Sequence, residues 1–322
     1  MAYLFSDAPG GRPDDPMPGM LSAVSLRNGR VMWEMPLPAR PFAVGPFGAW
    51  LSHDEKRIYL QSTRDGLNPR MLTIDVQARH MLHDHSLHIP YPANVDQAFP
   101  IAWRLPWTER FIVISRDQLY AYDPGTGQKS DVIHLFKPDD RALVPWDMPR
   151  ATFVMDGLMD ASRRRLILAT STQELIWVDL TTSPFTLHRV AKLTPGWRFG
   201  GASGLLLHPD GMTLYAQVRP VYPVEQIMAV TEVLSFDTKT WQQTGRHVLC
   251  QDPYGCDSLF RRGAPYSFGL LIHPSDNRLY AFTEHGLMQV DQPPNTALEE
   301  NLMKIDGLNT SDWYTILYSP GG

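Results

Sequence analysis

The side chains of this 322-residue chain best suited to chemistry are one carboxylate, a scatter of arginines among aromatics, and a run of histidines. Asp156 stands in Met155-Asp156-Gly157-Leu158-Met159-Asp160, at a position where comparable segments carry Gly48, Ile101, Gly204, Gly269 and Tyr314. Glycine in a strand permits close backbone approach, so an aspartate in that series is the odd member. It could ligate a cation or act as an acid or base, and it could equally be structural, held by neighbouring backbone amides.

Arg150, Trp197, Arg198, Tyr254, Arg262 and Tyr266 fall in segments that read as long connections. Planar guanidinium and aromatic groups combine contact area with directed hydrogen bonding, which suits an anionic or aromatic small molecule or a protein partner. Arg150, Arg198 and Tyr266 could also surround an acidic substrate in a lyase-type site. The competing reading has the aromatics filling gaps and the arginines in solvent.

In Arg79-His80-Met81-Leu82-His83-Asp84-His85-Ser86-Leu87-His88, His83 and His85 would share one face of a strand, and a divalent metal could join them with Asp84 or His88. A solvated edge strand that discourages pairing with other chains accounts for the same residues. No nucleophile elbow, phosphate-binding glycine loop or His-Glu-x-x-His pair occurs. Cys250 and Cys256 could close a small disulfide loop or remain two thiols, and they supply only half of a zinc shell.

An internal repeat organises the elements that must hold these groups. An apolar residue, Asp and then turn formers recur at Asp75, Asp123, Asp179, Asp237 and Asp291, with Leu26-Arg27-Asn28-Gly29 as a sixth, altered copy, roughly every 50 residues. Aspartate suits the place because its side chain can bond backbone two residues on. Ahead of most copies stands a hairpin pattern, as in Leu206-Leu207-His208-Pro209-Asp210-Gly211-Met212-Thr213-Leu214-Tyr215 and Leu271-Ile272-His273-Pro274-Ser275-Asp276-Asn277-Arg278-Leu279-Tyr280. Ser52, Asp160, His208 and His273 share one turn position, and that repetition points to structure.

Each repeat supplies four antiparallel strands, the pattern of a β-propeller blade. The expected fold is all-β: a six-bladed propeller occupying residues 1–322 as a single domain, its ring closed by N- and C-terminal strands sharing one blade. Trp313-Tyr314-Thr315-Ile316-Leu317-Tyr318 would be that blade's inner strand and Tyr3-Leu4-Phe5-Ser6 the next one out. The only helical hint is a turn over residues 298–303.

Composition agrees with a globular chain. Hydrophobic residues make up 43%, and 29 Lys and Arg against 34 Asp and Glu leave a net charge of −5 without a basic stripe, which argues against a nucleic-acid partner. No apolar stretch reaches the ~20 residues of a membrane span. Met1 to Asp7 lack a basic leader segment, so the location expected is cytoplasmic for the chain as it stands, and periplasmic or secreted if a signal peptide has been removed.

The hairpins and apolar-Asp-Thr turns resemble the YVTN/amine-dehydrogenase-like β-propeller superfamily over nearly the whole chain, with a weaker likeness to six-bladed gluconolactonase (SMP-30-like) propellers. The latter resemblance implies calcium, since Asp156-Gly157-Leu158-Met159-Asp160 is similar to a segment carrying one calcium ligand in that family. Only Asp156 matches, and Ala202-Ser203-Gly204-Leu205 stands where the family has Asn-Gly. The former implies a redox partner subunit, because this chain has no Cys-x-x-Cys-His haem motif.

Three functions are therefore expected in order. First comes a binding or scaffold propeller engaging a small molecule or protein at one face, through Arg150, Trp197, Arg198, Tyr254, Arg262 and Tyr266. Second is a propeller enzyme, a metal-assisted hydrolase or lactonase or a lyase, with Asp156 in the channel and calcium as its cofactor. Third is a partner of a redox subunit.

Overall fold

In a computed structural model, the residues described are 2–7, 19–38, 40–41, 48–63, 69–87, 101–115, 117–137, 154–200, 204–220, 232–249, 270–272, 277–283, 286–290, 302–303 and 317–318. All regular structure among them is β. The contacts group the chain into two compact units, residues 1–134 with 314–322, and residues 135–313.

The first unit holds three antiparallel sheets. One is built from β1 (Ala2–Asp7), β2 (Gly19–Val24), β3 (Val31–Pro36) and the chain's last strand, β26 (Leu317–Tyr318), in the order β26-β1-β2-β3. Ala2 pairs with Tyr318 and Tyr3 with Leu317, so strands from both ends of the sequence share a sheet in the order expected. The second sheet runs β4 (Arg40–Pro41), β6 (Arg57–Thr63), β7 (Pro69–Asp75), β8 (His80–Ser86), and β5 (Ala49–Leu51) also pairs with β6. The third comprises β9 (Ile101–Arg104), β10 (Phe111–Ser115), β11 (Gln118–Tyr122) and β12 (Lys129–His134), in sequence order.

The middle strands are continuous apolar runs because both their faces are covered. Ile58, Leu60, Leu72 and Ile74 pack with Tyr3, Leu21 and Ala23 of the first sheet. Their neighbours Tyr59 and Met71 point the other way, into Phe111, Val113 and Tyr120 of the third. Phe111 takes the edges of Trp50 and Tyr59 at centroid distances of 5.0 and 5.2 Å, the tilted geometry that aromatic quadrupoles favour.

The second unit repeats the plan. One sheet runs β13 (Val154–Asp160), β14 (Arg165–Thr170), β15 (Glu174–Asp179), β16 (Thr186–Lys192). The next has β17 (Trp197–Phe199), β18 (Leu205–Leu207), β19 (Thr213–Pro220), β20 (Glu232–Asp237) and β21 (Gln243–Val248), with β17 and β18 both paired to β19. The last has β22 (Leu270–Ile272), β23 (Leu279–Thr283), β24 (Gly286–Gln289) and β25 (Leu302–Met303). Residues 302–303 are thus strand, where the sequence hinted at a helical turn. Ile167, Ala169 and Leu175 of the first of these sheets form one core with Leu214, Ala216, Val218 and Phe236 of the next.

The recurrent aspartate does what its chemistry suggests. Asp123 Oδ1 accepts the Gly125 N–H at 2.8 Å, Asp179 Oδ1 that of Thr181 at 2.8 Å, and Asp237 Oδ1 those of Lys239 and Thr240 at 2.9 and 2.7 Å. In three copies the fourth residue after the aspartate is left-handed and closes the turn: Arg79, Gly127 and Trp241 donate to the carbonyls of Asp75, Asp123 and Asp237. The first copy shows where the sequence reading slipped. Gly29 donates to the Ser25 carbonyl, and Ser25 to Asp123 equivalence holds again in the bond from the Ser25 N–H to the Arg30 carbonyl. Ser25, not Arg27, occupies the aspartate place, and Asn28 caps from inside the turn by accepting the Arg30 N–H at 3.1 Å.

Candidate functional site

Asp156 lies on β13, opposite Ala169 beside an irregularity in the β13–β14 register, and only 4% of it is exposed. Its Oδ1 accepts the Gly157 N–H at 2.8 Å and its Oδ2 the Leu205 N–H at 2.7 Å. Leu205 opens β18 in the next sheet, so the carboxylate stitches two sheets through a backbone amide that their ladders leave over. Both oxygens accept backbone N–H bonds, whose dipoles oppose a cation at the same atoms. Calcium needs several oxygen ligands. Among the described residues no group of three or more His, Cys, Asp or Glu is placed to hold a metal, and the described surroundings of Asp156 do not fit a calcium site.

Trp197 and Arg198, expected in a connection, lie on strand β17. The strand escapes a sequence reading because it is three residues long and is separated from β18 by glycine-rich sequence. Its register is nevertheless definite: Trp197 pairs with Pro220, Arg198 with Arg219 and Phe199 with Val218. Gln217 spans the break, its N–H donating to the Gly204 carbonyl at 2.8 Å and its carbonyl accepting the Gly200 N–H at 2.7 Å. The second sheet of the first unit has the same device, with β4 and β5 on either side of a gap and the Gln61 N–H donating to the Gly48 carbonyl at 2.8 Å.

Adjacent strand residues face opposite ways, which separates Trp197 from Arg198. Trp197 shares its face with Phe199, Val218 and the core. The Arg246 guanidinium lies over its ring at 5.3 Å and is itself gripped by Glu232 at 2.6 and 2.5 Å. Gln173 Nε2 donates to the Trp197 carbonyl. Trp197 is thus held as a fixed plate.

Arg198 and Arg219 stand directly opposite each other on the other face, with Gln217 two residues along from Arg219. Arg219 is 7% exposed, Gln217 is 2% exposed, and Arg198 is half-buried. Burial, with the like charge of Arg198 adding to it, pushes the Arg219 guanidinium down to about 9. Burial also lowers Arg198. Both arginines engage further groups of the chain. Among the described residues the buried Gln217 Nε2 has no hydrogen-bond partner. Arg219 and Gln217 were not singled out from the sequence; the signal was available as two polar residues in the otherwise apolar run Leu214-Tyr215-Ala216-Gln217-Val218-Arg219.

Arg150, Tyr254, Arg262, Tyr266, His88, Cys250 and Cys256 lie outside the described residues. His83 and His85 do share a face of β8, an end strand of its sheet, with rings stacked at 5.4 Å, while Asp84 turns away to pair with Arg70. Of the repeated turn residues, His273 lies outside the described residues and the other three serve local structure. Ser52 donates to Asp54 at 2.6 Å, His208 sits 2.9 Å from Asp210, and Asp160 binds Ser162, Arg163 and Arg165.

No protein-family model and no curated protein matches this chain. Among solved structures it is similar to a candidate 6-phosphogluconolactonase of Bacteroides uniformis, with a TM-score of 0.52 and 12% identity over 92% of this chain and 80% of that one. A candidate 6-phosphogluconolactonase of Bacteroides fragilis gives 0.51 and 14%, over 90% of this chain and 78% of that one. Sqt1 of Saccharomyces cerevisiae gives 0.51 and 11%, over 84% and 65%. At such identities the likeness shows the fold alone: these are β-propellers, and this all-β chain of antiparallel four- and five-stranded sheets has that fold.

Proposed function

We propose that the protein is a binding or scaffold propeller of six blades, formed by residues 1–322 as one domain, which engages a small molecule or protein partner at one face. The reading rests on the half-buried Arg198 opposed to the buried Arg219, beyond a break in an inner strand and immediately before the chain leaves β19 at Pro220. Sheet interiors do not ordinarily accept two guanidinium groups across from each other, because like charges directly opposed are destabilising. Arg150, Tyr254, Arg262 and Tyr266 would complete the site, with Trp197 as a rigid wall behind it.

A screen of small metabolites by thermal shift, followed by titration calorimetry, tests this reading. The expected hit loses at least tenfold in affinity in Arg150→Ala, Arg198→Ala and Tyr266→Ala, since hydrogen bonds to charged groups each contribute about 1.5–3 kcal/mol. Hits indifferent to all three variants would overturn it.

The enzyme alternative draws on the likeness to two candidate lactonases. It would use Asp156 as the acid or base, yet the two backbone amides on that carboxylate support a structural role. Lactone or ester turnover lost in Asp156→Asn at an unchanged melting temperature would favour the enzyme.

A further inference from the structure

We propose that Arg198, Arg219 and the Gln217 carboxamide form the seat of a small oxyanion, a carboxylate or a phosphate-type group. The inference rests on the reading that this part of the second unit binds a ligand, and it names the chemistry of that ligand.

Two observations carry it. The first is the register: Arg198 and Arg219 are directly paired across β17 and β19, so their side chains leave the same face of the sheet. Two forked cations on one face match the oxygens of a planar or tetrahedral anion, a geometry in which guanidinium exceeds ammonium.

The second is Gln217. It belongs to the same face, two positions along β19, and its backbone is fixed by the bonds that bridge Gly200 and Gly204. Its Nε2 is buried with no acceptor among the described residues, in a residue 2% exposed. A buried amide donor left unmet costs about 1–3 kcal/mol, and an anion oxygen would meet it.

Arg198 and Arg219 have other contacts within the chain, so the anion completes their surroundings rather than supplying all of them. The depressed protonation of Arg219, caused by burial and the neighbouring charge, is a cost that the same anion would offset. Entry is from the side of Arg198, the less buried of the two.

The test uses the full chain. Melting temperature and titration calorimetry are measured with inorganic phosphate and, separately, with malonate, each against sodium chloride at equal ionic strength. The expected result is a saturable stabilisation by at least one of the two that chloride does not reproduce. Phosphate alone identifies a phosphate-type ligand, and malonate alone a carboxylate.

Arg198→Ala and Gln217→Met should each weaken that binding about tenfold or more. Arg198→Lys keeps the charge while losing the fork, and it should weaken binding severalfold, which covers the case in which Arg198→Ala fails to fold. Equal shifts with chloride, or no shift with either anion, overturn the inference. If a neutral ligand from the screen binds and depends on Arg150 or Tyr266 while both anions have no effect, the binding-propeller reading survives and this inference does not.

Discussion

Asp160 shows how a charged side chain can be buried in this fold. It is 2% exposed, yet its carboxylate receives Ser162 at 2.7 Å, Arg163 at 3.1 Å and Arg165 at 2.9 Å. Arg165 is flanked by Trp177 and Trp241, at 5.8 and 5.0 Å from the ring centroids. Burial alone would raise the Asp160 carboxyl, but the hydroxyl and guanidinium donors outweigh it and hold the group below the usual carboxylate range. A carboxylate with a depressed folded value contributes stability that is full above its unfolded pKa and is lost as pH falls through the folded one. Asp160→Asn should therefore cost about 3 kcal/mol near neutral pH, because Arg165 is left buried without its counter-charge. It should also flatten the acid limb of the stability profile below about pH 4. Denaturant unfolding across pH checks both. Asp156 makes a separate prediction at this scale. Asp156→Ala strips the acceptor from the Gly157 and Leu205 amides, at about 1–3 kcal/mol for each group left buried. A drop of that size in unfolding free energy is the expected outcome, and an unchanged value would show that the carboxylate does not hold the sheets together.

The elements explain which parts of the molecule were legible in the sequence. The Asp turns were, because the aspartate acts on amides two and three residues away and leaves its mark in local composition. The copy at Ser25 was misplaced by two residues, since its serine carries the turn without the aspartate signature. Strands β4 and β17 were not legible. A strand of two or three residues has no period to read, and its pairing with β6 or β19 is a long-range fact. Within the candidate site, Arg198 is marked by residue type and Arg219 by its place in an apolar run, but that the two are partners needs the register. The outer strand β21 offers a further check. A Cβ added at Gly245 would stand 2.4 Å from Ser235 Oγ on the paired strand. Gly245→Ala should destabilise by about 1–3 kcal/mol through overpacking. In Gly245→Ala with Ser235→Ala most of that loss should be recovered, beyond what additivity predicts. Chemical denaturation of the single and double variants gives the coupling energy directly.

At the scale of the whole molecule, the sheet β26-β1-β2-β3 joins residues more than three hundred positions apart in the chain. Removing residues 314–322 takes away β26 and leaves the Ala2–Asp7 strand with an open edge, a template for pairing with other chains. The truncated protein should melt at a lower temperature and run as higher-mass species in size-exclusion chromatography. Unchanged melting and a monomeric profile would show that this pairing contributes little. Among the described residues no helix is long and apolar enough to cross a membrane.

The same pairing imposes an order in time. Strand β1 leaves the ribosome some three hundred residues ahead of β26, so during synthesis the first sheet waits, with one edge uncovered, until residue 318 emerges. Translation at ~5–20 residues per second makes that wait roughly 15–60 seconds. A nascent chain of this protein would therefore be a client for whatever shields strand edges in the cell, until β26 arrives.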